Sequence, residues 1–197
     1  MTSNYRYDLA PYTWQLVQNL REGRALFSQP PMPIKCAGAP QKALYLSCDH
    51  WLRNGHLGKI QAQFFNAGAV LFGVADYVPA LMEYIDKYGV DLQYSHRLVA
   101  VDGPAKQATF IRTLPDGSSE TQVQPFDMLH VVPPQVAPDF IRNSPLADAA
   151  GWIDVDPATL RHRSFANIHA LGDGINTSNA KTAAAARKQA PVVANNV

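Results

Sequence analysis

Cys36 has the most chemistry to offer. It stands where a short strand, Ile34-Lys35-Cys36, gives way to a helix opening at Gly38-Ala39-Pro40-Gln41. The unpaired amides and positive dipole end of a helix N-terminus favour a thiolate, the nucleophilic form of cysteine. Lys35 adds a positive charge beside it. The alternative reading is a buried cysteine that packs as a small hydrophobe. Cys48 lies in the middle of the same helix. If 37–53 are helical, about 12 rises of about 1.5 Å separate the two sulfurs, roughly 18 Å. A disulfide needs Cα atoms within about 7 Å, so Cys48 reads as a packing residue.

A second candidate is Leu171-Gly172-Asp173-Gly174, after a strand at Ile168–Leu171 and shortly before an Ala-rich helix. A carboxylate at a strand's C-terminal end, flanked by glycines, reaches a sugar hydroxyl while the backbone comes close to a ligand. The helix beginning near Lys181-Thr182 presents an electropositive end to whatever binds there. The same tripeptide is also a common turn. The six histidines show no ligand-like pairing, and His130, inside an apolar strand, reads as a satisfied core residue. There is no serine nucleophile elbow, no phosphate-binding lysine loop and no glycosidase-type carboxylate pair. No Gly-x-Gly-x-x-Gly follows a strand and opens a helix. Lys35-Cys36-Ala37-Gly38-Ala39-Pro40 sits at such a junction with a single glycine, and Cys36 and Pro40 obstruct a pyrophosphate. No NAD-type site is expected there.

The elements that must position these residues follow from periodicity and breakers. Tyr5–Phe27 is loosely helical, with a stop at Arg21-Glu22-Gly23, and Gln29-Pro30-Pro31-Met32-Pro33 is a stiff connector. The helix at Gly38 closes at Asn54-Gly55. A strand at Lys59–Phe65, a helix at Val78–Tyr88 ended by Gly89, and strands at Asp91–Tyr94 and His96–Val101 come next. Gln107–Arg112 and Glu120–Gln124 pair across the turn Pro115-Asp116-Gly117. Met128–Val132 is an apolar strand, and Gln135–Ala149 reads as loop. Trp152–Val155 and Ile168–Leu171 read as strands, and Ala180–Ala190 as a helix. This order predicts an α/β fold, a Rossmann-like parallel sheet with helices on one side and an antiparallel β-meander on the other.

Composition narrows the function classes. The chain has 197 residues, 47% apolar and 17% charged, with a formal net charge of +1. No bulk field recruits nucleic acid or an anionic membrane. Met1–Tyr5 is polar and resembles no signal peptide. The apolar stretch from Ala67 to Met82 contains Asp76 and Pro79 and falls short of a membrane span. Two cysteines do not make a disulfide scaffold. A cytoplasmic protein without membrane association is expected.

Four stretches together resemble the sulfide:quinone oxidoreductases, in particular the mitochondrial-type subgroup. They are Pro33-Ile34-Lys35-Cys36-Ala37-Gly38-Ala39-Pro40-Gln41-Lys42; Asp127-Met128-Leu129-His130-Val131-Val132-Pro133-Pro134; Ser144 through Asp156, around Gly151-Trp152-Ile153; and Gly172-Asp173 with Lys181-Thr182-Ala183-Ala184-Ala185. The resemblance runs along essentially the whole chain. It implies a flavoprotein of the FAD/NAD(P)-binding, disulfide-reductase-like type, with sulfide and quinone as substrates. It also implies three regions: an N-terminal helix and connector at 1–32, a Rossmann-like central domain at 33–132, and part of a second, FAD-binding lobe at 133–197. By the same resemblance Cys36 is the sulfide-accepting or flavin-proximal cysteine, Asp173 binds the ribityl chain, and the helix at Lys181-Thr182 faces the anionic edge of the flavin. Gly172 and Pro133 complete the implied FAD contacts. Relatives also carry an N-terminal FAD segment, a second redox cysteine and C-terminal membrane-binding helices. The expectation is thus a truncated, inactive chain that forms a homo-oligomer. Two further readings stay open: a non-redox α/β domain binding a nucleotide or partner, and a flavin-free persulfide carrier using Cys36.

Overall fold

The computed structural model describes all 197 residues. The chain forms two compact units, one of residues 1–31 and 37–133, the other of residues 32–36 and 134–197.

The first unit is built on a four-stranded parallel sheet of order β3-β2-β1-β7. Its strands are β1 (Gly23–Gln29), β2 (Ile60–Asn66), β3 (Asp91–Tyr94) and β7 (Met128–His130), with α1 (Ala10–Asn19), α2 (Gly38–Arg53) and α3 (Val78–Tyr88) alongside. β1 is central, in register with β2 from Gly23↔Ile60 to Gln29↔Asn66 and with β7 from Ala25↔Met128 to Phe27↔His130. Strand periodicity distributes its side chains between two layers. Phe27 and Phe64 pack with Leu44 and Trp51 of α2 and with Ile85 of α3. Their neighbours Leu26 and Phe65 pack on the opposite face against Ala108 and Phe110. The latter belong to the antiparallel meander β4 (His96–Asp102), β5 (Gln107–Thr113) and β6 (Ser119–Pro125). The Phe65 and Phe110 rings stack at 4.0 Å. Helices on one side and a meander on the other is the expected architecture.

One expectation fails near the start. Of the loosely helical stretch Tyr5–Phe27 only Ala10–Asn19 is α-helix, and Gly23–Gln29, beyond the expected stop, is the central strand. A strand buried on both faces shows a continuous apolar run, which short-range periodicity does not separate from helix. Gly89 ends α3 in the left-handed conformation, φ 60°, as expected of a helix cap.

The second unit holds the short helix α4 (Asp139–Arg142), a 3-10 turn at Gly172–Gly174 and α5 (Ala183–Asn196). Its core gathers Val155, Leu160 and Ile175, with Ile153, Val192 and Val193 against them. The strands expected at 34–36, 152–155 and 168–171 are absent. Isolated bridges such as Lys35↔Lys181, Ile153↔Ile175 and Arg161↔His169 stand in their place. Side chains have captured the amides a ladder would use: Asp148 accepts the N–H of Trp152 at 3.0 Å, and Asn176 that of Val155 at 3.1 Å. α5 starts later than expected and continues past Pro191. Val192 and Val193, packed on the core beyond the proline, offset the backbone bond it cannot make.

Candidate functional site

Five of the residues singled out for chemistry, Cys36, Gly172, Asp173, Lys181 and Thr182, lie in the second unit. Cys36 is half-buried and holds φ at 57°. The left-handed region costs a non-glycine residue roughly 1–2 kcal/mol, and residues held in it concentrate at functional sites. The Cys36 N–H donates to the Lys181 carbonyl at 3.0 Å. Lys35 and Lys181 pair as a parallel bridge beside that bond.

Lys181 is only 5% exposed. Its ammonium donates to the Ile175 carbonyl at 2.6 Å and lies 3.9 Å from the centroid of the Trp152 ring. Burial pushes its pKa down. The Asp173 carboxylate works against that shift and the Lys35 ammonium adds to it. A buried cation is tolerated when it is hydrogen-bonded and faces a π cloud.

Gly172, with φ 80°, opens the 3-10 turn, and its N–H donates to Gln189 Oε1 at 2.8 Å. Asp173 then projects a partly exposed carboxylate, 3.8 Å from Lys35 Nζ. An exposed pair contributes about 0–1 kcal/mol, so its effect is to set the charge pattern rather than to hold the fold. Thr182 caps α5, its Oγ1 accepting the Ala185 N–H at 3.1 Å. The amides of Ala183 and Ala184 precede any intrahelical acceptor and leave an electropositive helix end. Pro133 belongs to the first unit, as its last residue. Sequence reasoning missed Trp152 and Gln189, because neither a cation–π contact nor a side chain bonded to a turn amide has a spacing signature.

The other singled-out residues lie in the first unit. Cys48 is fully buried in α2, where burial pushes its thiol up to about 12. Neither cysteine is in a disulfide. His130 is buried, and its Nε2 accepts the Asn4 N–H at 3.1 Å. Its Nδ1 has no partner, so the expectation of a satisfied core histidine holds for one nitrogen only. At the start of α2, Gln41 donates to the Leu71 carbonyl at 2.7 Å, and Leu71 is buried in the core. The loop after β2 is thereby tied to the helix turn where a doubly wound sheet carries its pyrophosphate.

No protein-family model matches the chain. Curated proteins do. It is 42% identical over 191 residues to the mitochondrial sulfide:quinone oxidoreductase of Mus musculus, and 39% identical over 199 residues to that of Dictyostelium discoideum. These matches cover 97% and 100% of the chain. The chain is homologous to the sulfide:quinone oxidoreductases. It spans 42% and 43% of the length of those relatives, less than half of each.

Solved structures agree on the fold. A chain of the Tetrahymena thermophila mitochondrial ATP synthase superposes with a TM-score of 0.76 at 26% identity, covering 93% of this chain and 44% of that one. The sulfide:quinone oxidoreductase of Aquifex aeolicus superposes with a TM-score of 0.71 at 15% identity, covering 89% and 41%. At 15% identity the likeness speaks for the fold alone, the Rossmann-like FAD/NAD(P)-binding type. No helix is long and apolar enough to cross a membrane. The curated relatives are named as mitochondrial proteins, whereas composition pointed to the cytoplasm for this chain.

Proposed function

We propose that this chain carries the sulfur-accepting thiol and the flavin-facing turn of a flavin-dependent sulfide:quinone oxidoreductase, with Cys36 as the reacting residue. The observation that supports it most is the left-handed Cys36 anchored on Lys181, in one unit with the Asp173 turn and the Thr182-capped helix. The balanced step is the union of hydrosulfide with the Cys36 thiolate. A sulfur–sulfur bond forms, the S–H proton leaves, and two electrons are released.

FAD, when bound, would supply the two-electron oxidant for that step, with quinone as the onward acceptor that the resemblance implies. The residues present fit its flavin end: Asp173 would accept from a polyol hydroxyl, and the α5 amides and Lys35 would favour electron-rich oxygen and nitrogen. Gly172 completes the flavin-binding set of this unit in this reading. No glycine-rich strand-to-helix loop is available for the pyrophosphate, so the fit covers that end of the cofactor only. Lys35, adjacent in sequence to Cys36 and paired with Asp173, would add positive charge to the flavin end of the site. Cys48, buried and protonated, takes no part.

The test is a visible spectrum of the purified chain after incubation with FAD and desalting. Retained flavin is expected, with retention lowered roughly tenfold in Asp173→Ala by loss of a charge-assisted hydrogen bond. A wild-type chain that retains none contradicts the flavin half of the reading. Self-association belongs to the same reading, since Leu46 and Phe140 are 70% and 78% exposed. A monomeric sedimentation profile at high concentration contradicts it.

A further inference from the structure

We infer that Lys181 is a positioning residue for Cys36: its ammonium, clamped between the Ile175 carbonyl and the Trp152 ring, fixes the backbone segment whose carbonyl anchors the Cys36 amide. The inference deepens the reading of Cys36 as the reacting thiol and rests on it for its consequence, though not for its test.

Lys35 keeps its side chain 41% exposed, with its ammonium 3.8 Å from the Asp173 carboxylate. Lys181 does the opposite. It is 5% exposed, and its ammonium is turned inward onto one carbonyl and one aromatic face. Those two contacts tie three pieces of chain together. Ile175 follows the Asp173 turn, Trp152 directly precedes Ile153 of the Ala147–Ile153 bridge, and Lys181 itself precedes the Thr182 cap of α5.

Between Ile175 and Lys181 the chain has no helix or strand. Asn176 fixes its beginning, through its N–H on the Ile153 carbonyl and its side chain on Asp154. Its end is fixed by the ammonium closing back onto Ile175. The Lys181 carbonyl, where the Cys36 N–H lands at 3.0 Å, is at that end. Cys36 needs this anchor because its φ of 57° is not one a free L-residue prefers. Without the clamp the carbonyl moves and the thiol loses its fixed orientation.

The direct readout is hydrogen exchange of the Cys36 amide by NMR on the full chain, which needs no flavin, sulfide or turnover. Lys181→Met removes the ammonium and keeps the apolar stem. The Cys36 amide should then exchange at least roughly tenfold faster, the loss expected of one backbone hydrogen bond, while α5 amides stay within about twofold. Lys181→Arg, which bonds a carbonyl and stacks on tryptophan, should restore most of the protection.

Cys36 exchange that stays within about twofold of wild type in Lys181→Met overturns the proposal. So does a failure of arginine to restore protection. If α5 loses protection in step with Cys36, the unit has unfolded, and Trp152→Leu decides. That variant removes only the aromatic half of the clamp. Faster Cys36 exchange with α5 intact supports the role, and unchanged exchange overturns it. A wild-type chain that shows a protected Cys36 amide but takes up no sulfur refutes the functional reading and leaves the positioning role standing.

Discussion

Replacing Cys36 by glycine should make the second unit more stable, not less, while removing the thiol proposed to accept sulfur. The reason is the backbone. Cys36 sits at φ 57° with its N–H bonded to Lys181, a conformation that costs an L-residue roughly 1–2 kcal/mol and glycine almost nothing. Glycine loses more freedom on folding, which returns roughly 0.4–1 kcal/mol of that gain. Alanine removes the thiol but keeps the Cβ, so it keeps the strain. Cys36→Gly should therefore be more stable than Cys36→Ala by about 1 kcal/mol, roughly a fivefold change in the unfolding constant. The assay is a urea series followed by hydrogen exchange in residues 32–36 and 134–197, with the denaturant slope checked for constancy. Glycine and alanine variants of equal stability would mean that Cys36 is not held in the left-handed region. The argument that its position serves the thiol would then fail.

Two further outcomes follow from the first unit. Under native conditions at mildly alkaline pH, iodoacetamide should modify Cys36 once and leave Cys48, whose thiol is buried and pushed up to about 12. A second adduct should appear only in denaturant, and rapid double labelling of the native chain would contradict the packing of α2. Burial lowers His130 from 6.5 to about 4, so the unfolded chain takes up a proton before the folded chain does. Stability from this group is complete above pH 6.5 and is lost as pH falls from there to about 4, about 1.4 kcal/mol per unit and roughly 3 kcal/mol in all. His130→Phe should flatten that slope in acid urea titrations. An unchanged slope would assign the acid sensitivity to other groups.

Much of the first unit was legible in the sequence because its signals are local. Gly89 marks the end of α3, Pro115-Asp116-Gly117 makes a hairpin turn, and α2 opens at Gly38. β1 was not legible, since a central strand buried on both faces has no alternation to read. The second unit hid its organisation for another reason. Asp148, Asp156 and Asn176 take the backbone amides that a ladder would have used, and side-chain capture has no periodicity. The site was half legible. Cys36 and Asp173 stand out by residue type and neighbours. The inward turn of Lys181 onto Trp152 and Ile175 needs the folded chain to bring residues 29 and 6 positions apart into contact.

The account turns on whether Cys36 takes sulfur with electrons passing to flavin, and adding sulfide anaerobically to the FAD-loaded chain tests this most directly. Peptide mass is read at Cys36 while the visible band of oxidised flavin is followed. The account predicts that Cys36 gains one sulfur atom in step with bleaching of that band, and that Cys36→Ser shows neither. Bleaching at an undiminished rate in Cys36→Ser, or sulfur gained at Cys36 without any bleaching, would contradict it.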